Sequence, residues 1–409
     1  MNASAAWPHP SRRQILSLAG ATFAAATIPR WASAAGARDP RLVVIVLRGA
    51  LDGLSAVAPV GDPGYADLHG ALALQRDGAH PALPLGDFFG LNPAMANFAR
   101  LYDARQALVV HAAATNYRER SHFDGQDVLE SGMLGPGRVD SGWLNRAVAA
   151  LPAGDRVGGA RGLAVGATAP LVIRGPAPIL GWAPSGLAAP SDDLLTRLTD
   201  LYARADPELG KALQAGLDAD RLANRQGMGA LRPGGDVALL MRKAAEGAAR
   251  LMAVDDGPRV GALAFDGWDT HANEGGATGR LAQLLGGLDG AFAAFASELG
   301  PHWNDTIVVA ITEFGRTARI NGTVGTDHGT ATVALLAGGA LAGGRVVADW
   351  PGLKVADLYE QRDLKPTTDL RAVLKGVLAD HLGLSAETLA RSVFPDTLGV
   401  APMKGLVAA

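Results

Sequence analysis

The stretch "RLVVIVLRGALDGLSAV" (residues 41–57) decides the fold class. Leu42 to Leu47 is an unbroken apolar run with no polar alternation. A strand of that kind must bury both faces, as the central strands of a parallel sheet do. The run breaks at Gly49 into turn chemistry and soon reaches Asp52. Working outward, "MANFARLYDARQ" reads as a short amphipathic helix and "ALVVHAAA" (107–114) as the next strand. "HFDGQDVLE" opens a helix directly after Ser121, and "GWLNRAVAAL" is another. Further on come the helix "DVALLMRKAAEGAARLMAV", the strand "RVGALAF", the helix "RLAQLLGGLDGAFAAFASEL" and the strand "TIVVAIT". "ATVALLAGG" reads as one more strand, and "TDLRAVLKGVLADHLG" as a closing helix. Alternation of this kind predicts an α/β domain with a doubly wound, mostly parallel central sheet flanked by helices. The middle is less regular. "DDLLTRLTDLYARADPELGKALQAGLDADRLANR" reads as two helices broken at Pro207, a helical insertion or cap around 185–233.

Composition narrows the chemistry. Hydrophobic residues make up 48% and charged ones 19%, which marks a globular chain rather than a disordered one. A net charge of -3 gives no basic face, so nucleic acid is not expected as a partner. The absence of cysteine rules out disulfides, thiolate metal sites and cysteine nucleophiles. Any metal must be held by His, carboxylate or hydroxyl groups, and the chain has only 9 His.

The N-terminus reads as an address. "SRRQILSLAGATFAAATIPRWASA" has paired arginines, a short apolar stretch and a small-x-small ending at Ala32-Ser33-Ala34. It looks like a twin-arginine signal over residues 1–34, leaving 35–409 as one mature domain. The expected partner is the twin-arginine export machinery, and the expected location is periplasmic or secreted. No later apolar run reaches the ~20 residues needed to span a bilayer, so stable membrane insertion is not expected.

In a doubly wound sheet the site lies outside the carboxyl ends of the strands. Asp52, Ser121, the pair Asp269/His271 and Glu313 follow separate strand-like runs or their exit loops, and Asp327-His328 closes a Gly- and Thr-rich loop. In Asp269-Thr-His271, residues two apart point the same way in extended chain, so carboxylate and imidazole can meet one cation. Taken alone, the pair reads equally as an Asx turn. His328 suits a ligand with Asp327 ligating or orienting it, or the two form a surface turn. Glu313 is a ligand, a capping carboxylate or the partner of Arg316, and Asp52 is a ligand or a turn residue. Together these six residues offer N/O donors at one edge. Ser121 is a metal-activated nucleophile at a helix start or simply that helix's N-cap. His122 is a ligand, an acid/base or a packed histidine. Arg120 and Arg316 lie where guanidinium forks hold a tetrahedral anion, or they balance the acids.

"VLRGALDGLS", "YRERSHFDGQDVLESG", "FDGWDTHAN", "TEFGRT", "GTDHG" and "TTDLRAVL" occur in that order. Together they resemble the exported bacterial proteins grouped as domain of unknown function 1501, in the alkaline phosphatase-like superfamily. The resemblance covers nearly all of the mature chain. It implies an alkaline phosphatase-like sheet and one or two divalent ions, zinc or manganese foremost, with calcium or magnesium as alternatives. It implies an Asp ligand after the first strand (Asp52), a nucleophile at a helix start (Ser121), and an Asp with a nearby His after a later strand (Asp269, His271). A further His would be His328. The superfamily's Asp-His pair at the next strand end is replaced here by Glu313-Phe314. The implied activity is hydrolysis of a small anionic ester, phosphate or sulfate. The alternative is a non-catalytic binding or assembly protein on the same scaffold. A nicotinamide dehydrogenase does not fit, because "LRGALDG" lacks the G-x-G-x-x-G fingerprint.

Overall fold

The computed structural model describes residues 38–137, 139–152, 161–183, 210, 214 and 236–408. Its strands are β1 (Arg41–Arg48), β2 (Val57–Ala58), β3 (Leu83–Leu85), β4 (Phe89–Leu91), β5 (Ala107–Ala114) and β6 (Gly162–Val165). They continue with β7 (Ile179–Trp182), β8 (Val260–Asp266), β9 (Thr306–Ile311), β10 (Thr332–Ala337), β11 (Arg345–Val347) and β12 (Thr368–Asp369). The longer helices are α1 (Ala96–Asp103), α2 (His122–Ser131), α3 (Trp143–Ala150), α4 (Val237–Ala253), α5 (Arg280–Glu298) and α6 (Leu370–Leu382).

β1 occupies the place its sequence predicts. It pairs in parallel with β8 on one side and β9 on the other. Val43, Ile45 and Leu47 enter one hydrophobic cluster, while Leu42, Val44 and Val46 enter another. The first cluster is built with Phe98 and Tyr102 of α1, Met241 and Met252 of α4, and Phe292 and Phe295 of α5. The second is built with Trp143 and Val148 of α3 and Val373 and Val377 of α6. Burial on both faces is therefore why the run shows no period of two. At roughly 1.5–3 kcal/mol per fully buried Val, Leu or Ile side chain, this strand anchors the sheet.

The main sheet runs β11-β5-β10-β9-β1-β8-β6-β7, with β12 also on β5. Its neighbours are parallel except around β10, which is antiparallel to both β5 and β9. The fold class expected from the sequence is thus observed, with one reversed strand. The reversal matters for the site. It brings the start of β10 to the same edge as the ends of β1, β5, β8 and β9. Local signals fix the helices that flank the sheet. Asp236 caps α4 through Ala238 N, and Asp369 caps α6 through Arg371 N. α2 stops at Gly132, whose φ of 71° suits glycine best.

β6, β7 and the small sheet β2-β4-β3 were not anticipated. These strands have four residues or fewer, too short to display a period. The expected leader (1–34) lies outside the described residues. So does the expected insertion at 185–233, apart from Gly210 and Gln214. Among the described residues no helix is long and apolar enough to cross a membrane.

Candidate metal centre

Four loops at the shared sheet edge bring the candidates together. After β8, Gly267 turns the chain at a φ of 102° and leads to Asp269 and His271. After β9 come Thr312 and Glu313. After β5 the chain reaches Arg120, held at a φ of 60°, then Ser121 and the first residue of α2, His122. The loop before β10 supplies Asp327 and His328.

Three imidazoles meet Asp269. His122 and His328 have ring centroids 4.2 Å apart, and His328 and His271 are 4.7 Å apart. Asp269 Oδ1 lies 3.1 Å from His271 Nε2 and 3.5 Å from His328 Nε2, and its Oδ2 lies 3.5 Å from His122 Nε2. Among the described residues, His122, Asp269 and His328 offer donor atoms all within 4.8 Å of one another. Contacts to both Asp269 and His328 place His271 Nε2 with them.

Each ring is turned by an oxygen behind it. His122 Nδ1 faces Glu313 Oε1 at 2.9 Å, His328 Nδ1 faces the Arg120 carbonyl at 2.9 Å, and His271 Nδ1 faces Asp327 Oδ1 at 3.2 Å. A carboxylate or carbonyl oxygen only accepts, so the proton of a neutral His122 or His328 ring sits on Nδ1, whereas His271 has a carboxylate oxygen at each nitrogen, Asp327 Oδ1 at 3.2 Å and Asp269 Oδ1 at 3.1 Å. The Nε2 lone pairs of His122 and His328 then point inward. Nε2 of His271 and Nε2 of His328 stand 3.0 Å apart. Two lone pairs at that distance repel unless a proton or a cation lies between them. His122 Nε2 is buried without a hydrogen-bond partner. Imidazoles oriented from behind by oxygen acceptors are how proteins prepare histidine ligands. The residues present therefore fit a divalent ion bound through three nitrogens and one carboxylate, a donor set suited to zinc or manganese.

Charge follows this arrangement. The bond to Glu313 raises the pKa of His122 above its usual range. Burial pushes the Glu313 carboxyl up, but the bonds from His122, Gln126 and Gly49 outweigh it and hold the acid low. Burial and then the neighbouring His122 charge lower His328. Burial also pushes Asp269 up, and Arg316, whose Nη1 donates to Asp269 Oδ1 at 2.7 Å, reverses that. The hydrogen bond from Asn321 leads in holding Asp327 low.

The structure redistributes the roles that the sequence suggested. Glu313 is filled by donors: Gly49 N at 2.9 Å, Gln126 Nε2 at 3.1 Å, His122 and the Thr312 hydroxyl. It faces His122 Nδ1 rather than the cluster of Nε2 atoms. Asp327 does the same for His271, with Asn321 Nδ2 on the same oxygen at 3.0 Å. Asp52 lies with a different set of partners. It caps the short helical turn Gly53–Ala56 and pairs with His69 Nε2 at 3.1 Å, both side chains fully buried. Burial pushes Asp52 up, yet His69 and Ser55 bring it down to about 2. Ser121 caps α2 by accepting from Asp124 N at 3.5 Å. Arg120 grips buried Asp363 through Nε at 2.9 Å and also pairs with Glu360. Arg316 is buried on Asp269, Thr326 Oγ1 and the Thr326 carbonyl. All three guanidinium nitrogens of Arg316 are thus engaged, and two of those of Arg120.

His69 and Glu274 were not singled out from the sequence. Glu274 is fully buried, accepts from Thr326 Oγ1 at 2.6 Å, and is pushed up to about 9 by burial and then by the charge of Asp52. The sequence signal for it was its place in the same loop as Asp269 and His271. His69 gave no signal, since a lone histidine in a short Ala-, Leu- and Gly-rich stretch has no spacing to read.

The family described as "Protein of unknown function (DUF1501)" matches residues 39–393, and the chain belongs to that family. No curated protein matches it. Solved structures similar to it include Ps i-CgsB in complex with k-i-k-neocarrahexaose, at 10% identity and a TM-score of 0.44, covering 88% of this chain and 77% of that one. A 2-O GAG sulfatase has 12% identity and a TM-score of 0.43, with 90% and 76% covered. The phosphonate monoester hydrolase of Agrobacterium radiobacter has 12% identity and a TM-score of 0.35, with 84% and 74% covered.

Proposed function

We propose that this DUF1501 protein is a metal-dependent hydrolase acting on a small anionic ester, phosphate or sulfate, outside the cytoplasm. His122, His271, His328 and Asp269 hold one divalent ion. The observation that carries this reading is the pair of facing Nε2 atoms of His271 and His328, 3.0 Å apart with each Nδ1 engaged by an acceptor. Such an ion supplies Lewis-acid polarisation of an ester oxygen and lowers the pKa of a hydroxyl or water beside it. Glu313 fixes the face of His122, and Arg316 fixes Asp269. Ser121 is the nucleophile of this reading. Its Oγ accepts from Asp124 N, which leaves the hydroxyl proton to be given up. The centre is reachable, since the Asp269 side chain is 40% exposed and His271 45%. Delivery by the twin-arginine machinery rests on Arg12-Arg13 and the small-residue ending of the leader.

The test is turnover of aryl phosphates and aryl sulfates by mature protein loaded with zinc or manganese, beside His328→Ala and Ser121→Ala. Activity that both substitutions abolish supports the proposal. Metal uptake without turnover of either ester class sinks it. The second reading, a non-catalytic binding or assembly protein, has one observation in its favour. Arg120 and Arg316 are both engaged by carboxylates.

A further inference from the structure

The loop that carries His328 is tied to the loop that carries Asp269 and His271 through one buried acid. Glu274 follows His271 in the exit loop of β8 and is fully buried. Its backbone N donates to the Val324 carbonyl at 3.0 Å, beside Asn273 N, which donates to the Thr323 carbonyl at 3.0 Å. Its Oε2 accepts from Thr326 Oγ1 at 2.6 Å. Thr326 is buried as well, and its N donates to the Thr270 carbonyl at 3.3 Å. Asp327 and His328 follow it directly in the chain. The Thr326 hydroxyl also accepts from Arg316 Nε at 3.1 Å, and the Thr326 carbonyl accepts from Arg316 Nη2. Arg316 Nη1 then donates to Asp269 Oδ1 at 2.7 Å. A threonine hydroxyl has one proton, so giving it to Glu274 leaves the lone pairs turned to Arg316. The whole chain of bonds therefore has one direction, from Asp269 back to Glu274. The Glu274 carboxyl also lies within hydrogen-bond reach of buried Asp52, which His69 and Ser55 face from the other side. Two buried carboxyl groups in contact hold a proton between them. Glu274 is then a neutral acid that bonds Asp52 and still accepts from Thr326.

We propose that Glu274 is a positioning residue of the metal centre: it pins the His328 loop to the Asp269–His271 loop and, through Thr326 and Arg316, sets the direction of the Asp269 carboxylate. The inference rests on the metal reading above, and Glu274 acts through its neighbours rather than on the ion. Without an acceptor at Glu274, the Thr326 hydroxyl turns away from Arg316 Nε, and the guanidinium that holds Asp269 loses one of its anchors. Glutamine can take over both bonds of the neutral acid. Its oxygen accepts from Thr326 and its NH2 donates to Asp52. Leucine fills similar space and makes neither bond.

The test is zinc competition titration of the mature protein against a chromophoric chelator near neutral pH. The visible spectrum of the cobalt-loaded protein is a second readout, and urea unfolding checks the fold. Wild type is compared with Glu274→Leu, Glu274→Gln, Thr326→Val and Thr326→Ser. Glu274→Leu and Thr326→Val should weaken zinc binding roughly tenfold and shift the cobalt bands, while Glu274→Gln and Thr326→Ser stay within about twofold of wild type. Because both residues act in one chain of bonds, the Glu274→Leu/Thr326→Val double variant should lose little more than the larger single loss. Wild-type affinity and cobalt spectrum in folded Glu274→Leu and Thr326→Val overturn the inference while the metal reading stands. So does a loss that Glu274→Gln shares with Glu274→Leu, or two losses that simply add. If Glu274→Leu does not fold, Thr326→Val against Thr326→Ser decides by the same criterion. Failure of wild type to take up zinc overturns the metal reading and the inference together.

Discussion

Replacing Glu313 by glutamine isolates the contribution of one charge behind the proposed metal centre. The side chain is fully buried; Gly49 N, Gln126 Nε2 and His122 Nδ1 meet its Oε1, and Thr312 Oγ1 lies 2.9 Å from its Oε2. The amide oxygen of a glutamine can keep the Gly49 and His122 bonds. Its NH2 group can donate to Thr312 Oγ1, because that hydroxyl already has the Leu47 carbonyl as an acceptor at 2.6 Å. The fold should therefore survive Glu313→Gln, at a cost of about 1–2 kcal/mol for turning a charge-assisted hydrogen bond into a neutral one. The larger effect falls on the ion. Loss of an oriented carboxylate behind a histidine ligand typically weakens metal binding by about 10–100-fold, or about 1.4–2.7 kcal/mol. The pH dependence shifts as well. Glu313 raises the His122 pKa, so in wild type a proton competes with the ion up to a pH above the usual histidine range. In the variant that competition should end at a lower pH. The assay is a zinc competition titration against a chromophoric chelator between pH 5.5 and 8. Unchanged affinity in a folded Glu313→Gln protein would refute the assignment of Glu313 as the group that orients His122.

Three further outcomes are expected. Glu274 stays protonated in the folded chain up to about 9, whereas it ionises near 4.5 when unfolded, so wild-type stability falls as pH rises between those values. Glu274→Gln, which never ionises, should raise Tm at pH 8 by an amount equivalent to roughly 1–3 kcal/mol, with the gain vanishing toward pH 4.5; a Tm drop at pH 8 contradicts this. A Cβ at Gly325 would lie 2.4 Å from the His271 carbonyl carbon and oxygen. Gly325→Ala should push the 321–327 loop off His271 and weaken zinc binding on the order of tenfold or more, and an unperturbed affinity would count against the loop's role. Arg120→Met leaves buried Asp363 with only Thr330 and Arg362 as side-chain partners. It should cost about 1–3 kcal/mol in urea unfolding, and no loss would show that the pair does not couple this loop to the segment around Asp363.

The sheet was readable because burial on two faces writes itself into a sequence. β1, β5, β8 and β9 are apolar runs bounded by turn residues, and α4, α5 and α6 carry a helical period with acidic caps on two of them. The direction of β10 was not readable. "ATVALLAGG" looks the same whether it runs with or against β9, and only pairing decides. At the site, the sequence marked loops that meet at one edge of the sheet, without the division of contacts inside them. Glu313 and His122 are 191 residues apart in the chain, so nothing local says that one orients the other. Asp327 and His328 are adjacent, yet one faces the back of His271 and the other faces the centre. Asp52 shows the opposite limit. Its place after β1 was legible, but its partner His69 comes from a helix in a stretch without pattern, and that pairing turns Asp52 inward.

X-ray absorption on the zinc-loaded mature protein, paired with elemental analysis, tests the metal centre most directly. The expected result is one zinc per chain with about three imidazole nitrogens at ~2.0–2.1 Å, and one imidazole fewer in His271→Ala. A protein that retains no stoichiometric ion, or a zinc shell made of oxygens alone and unaffected by that substitution, would contradict the account.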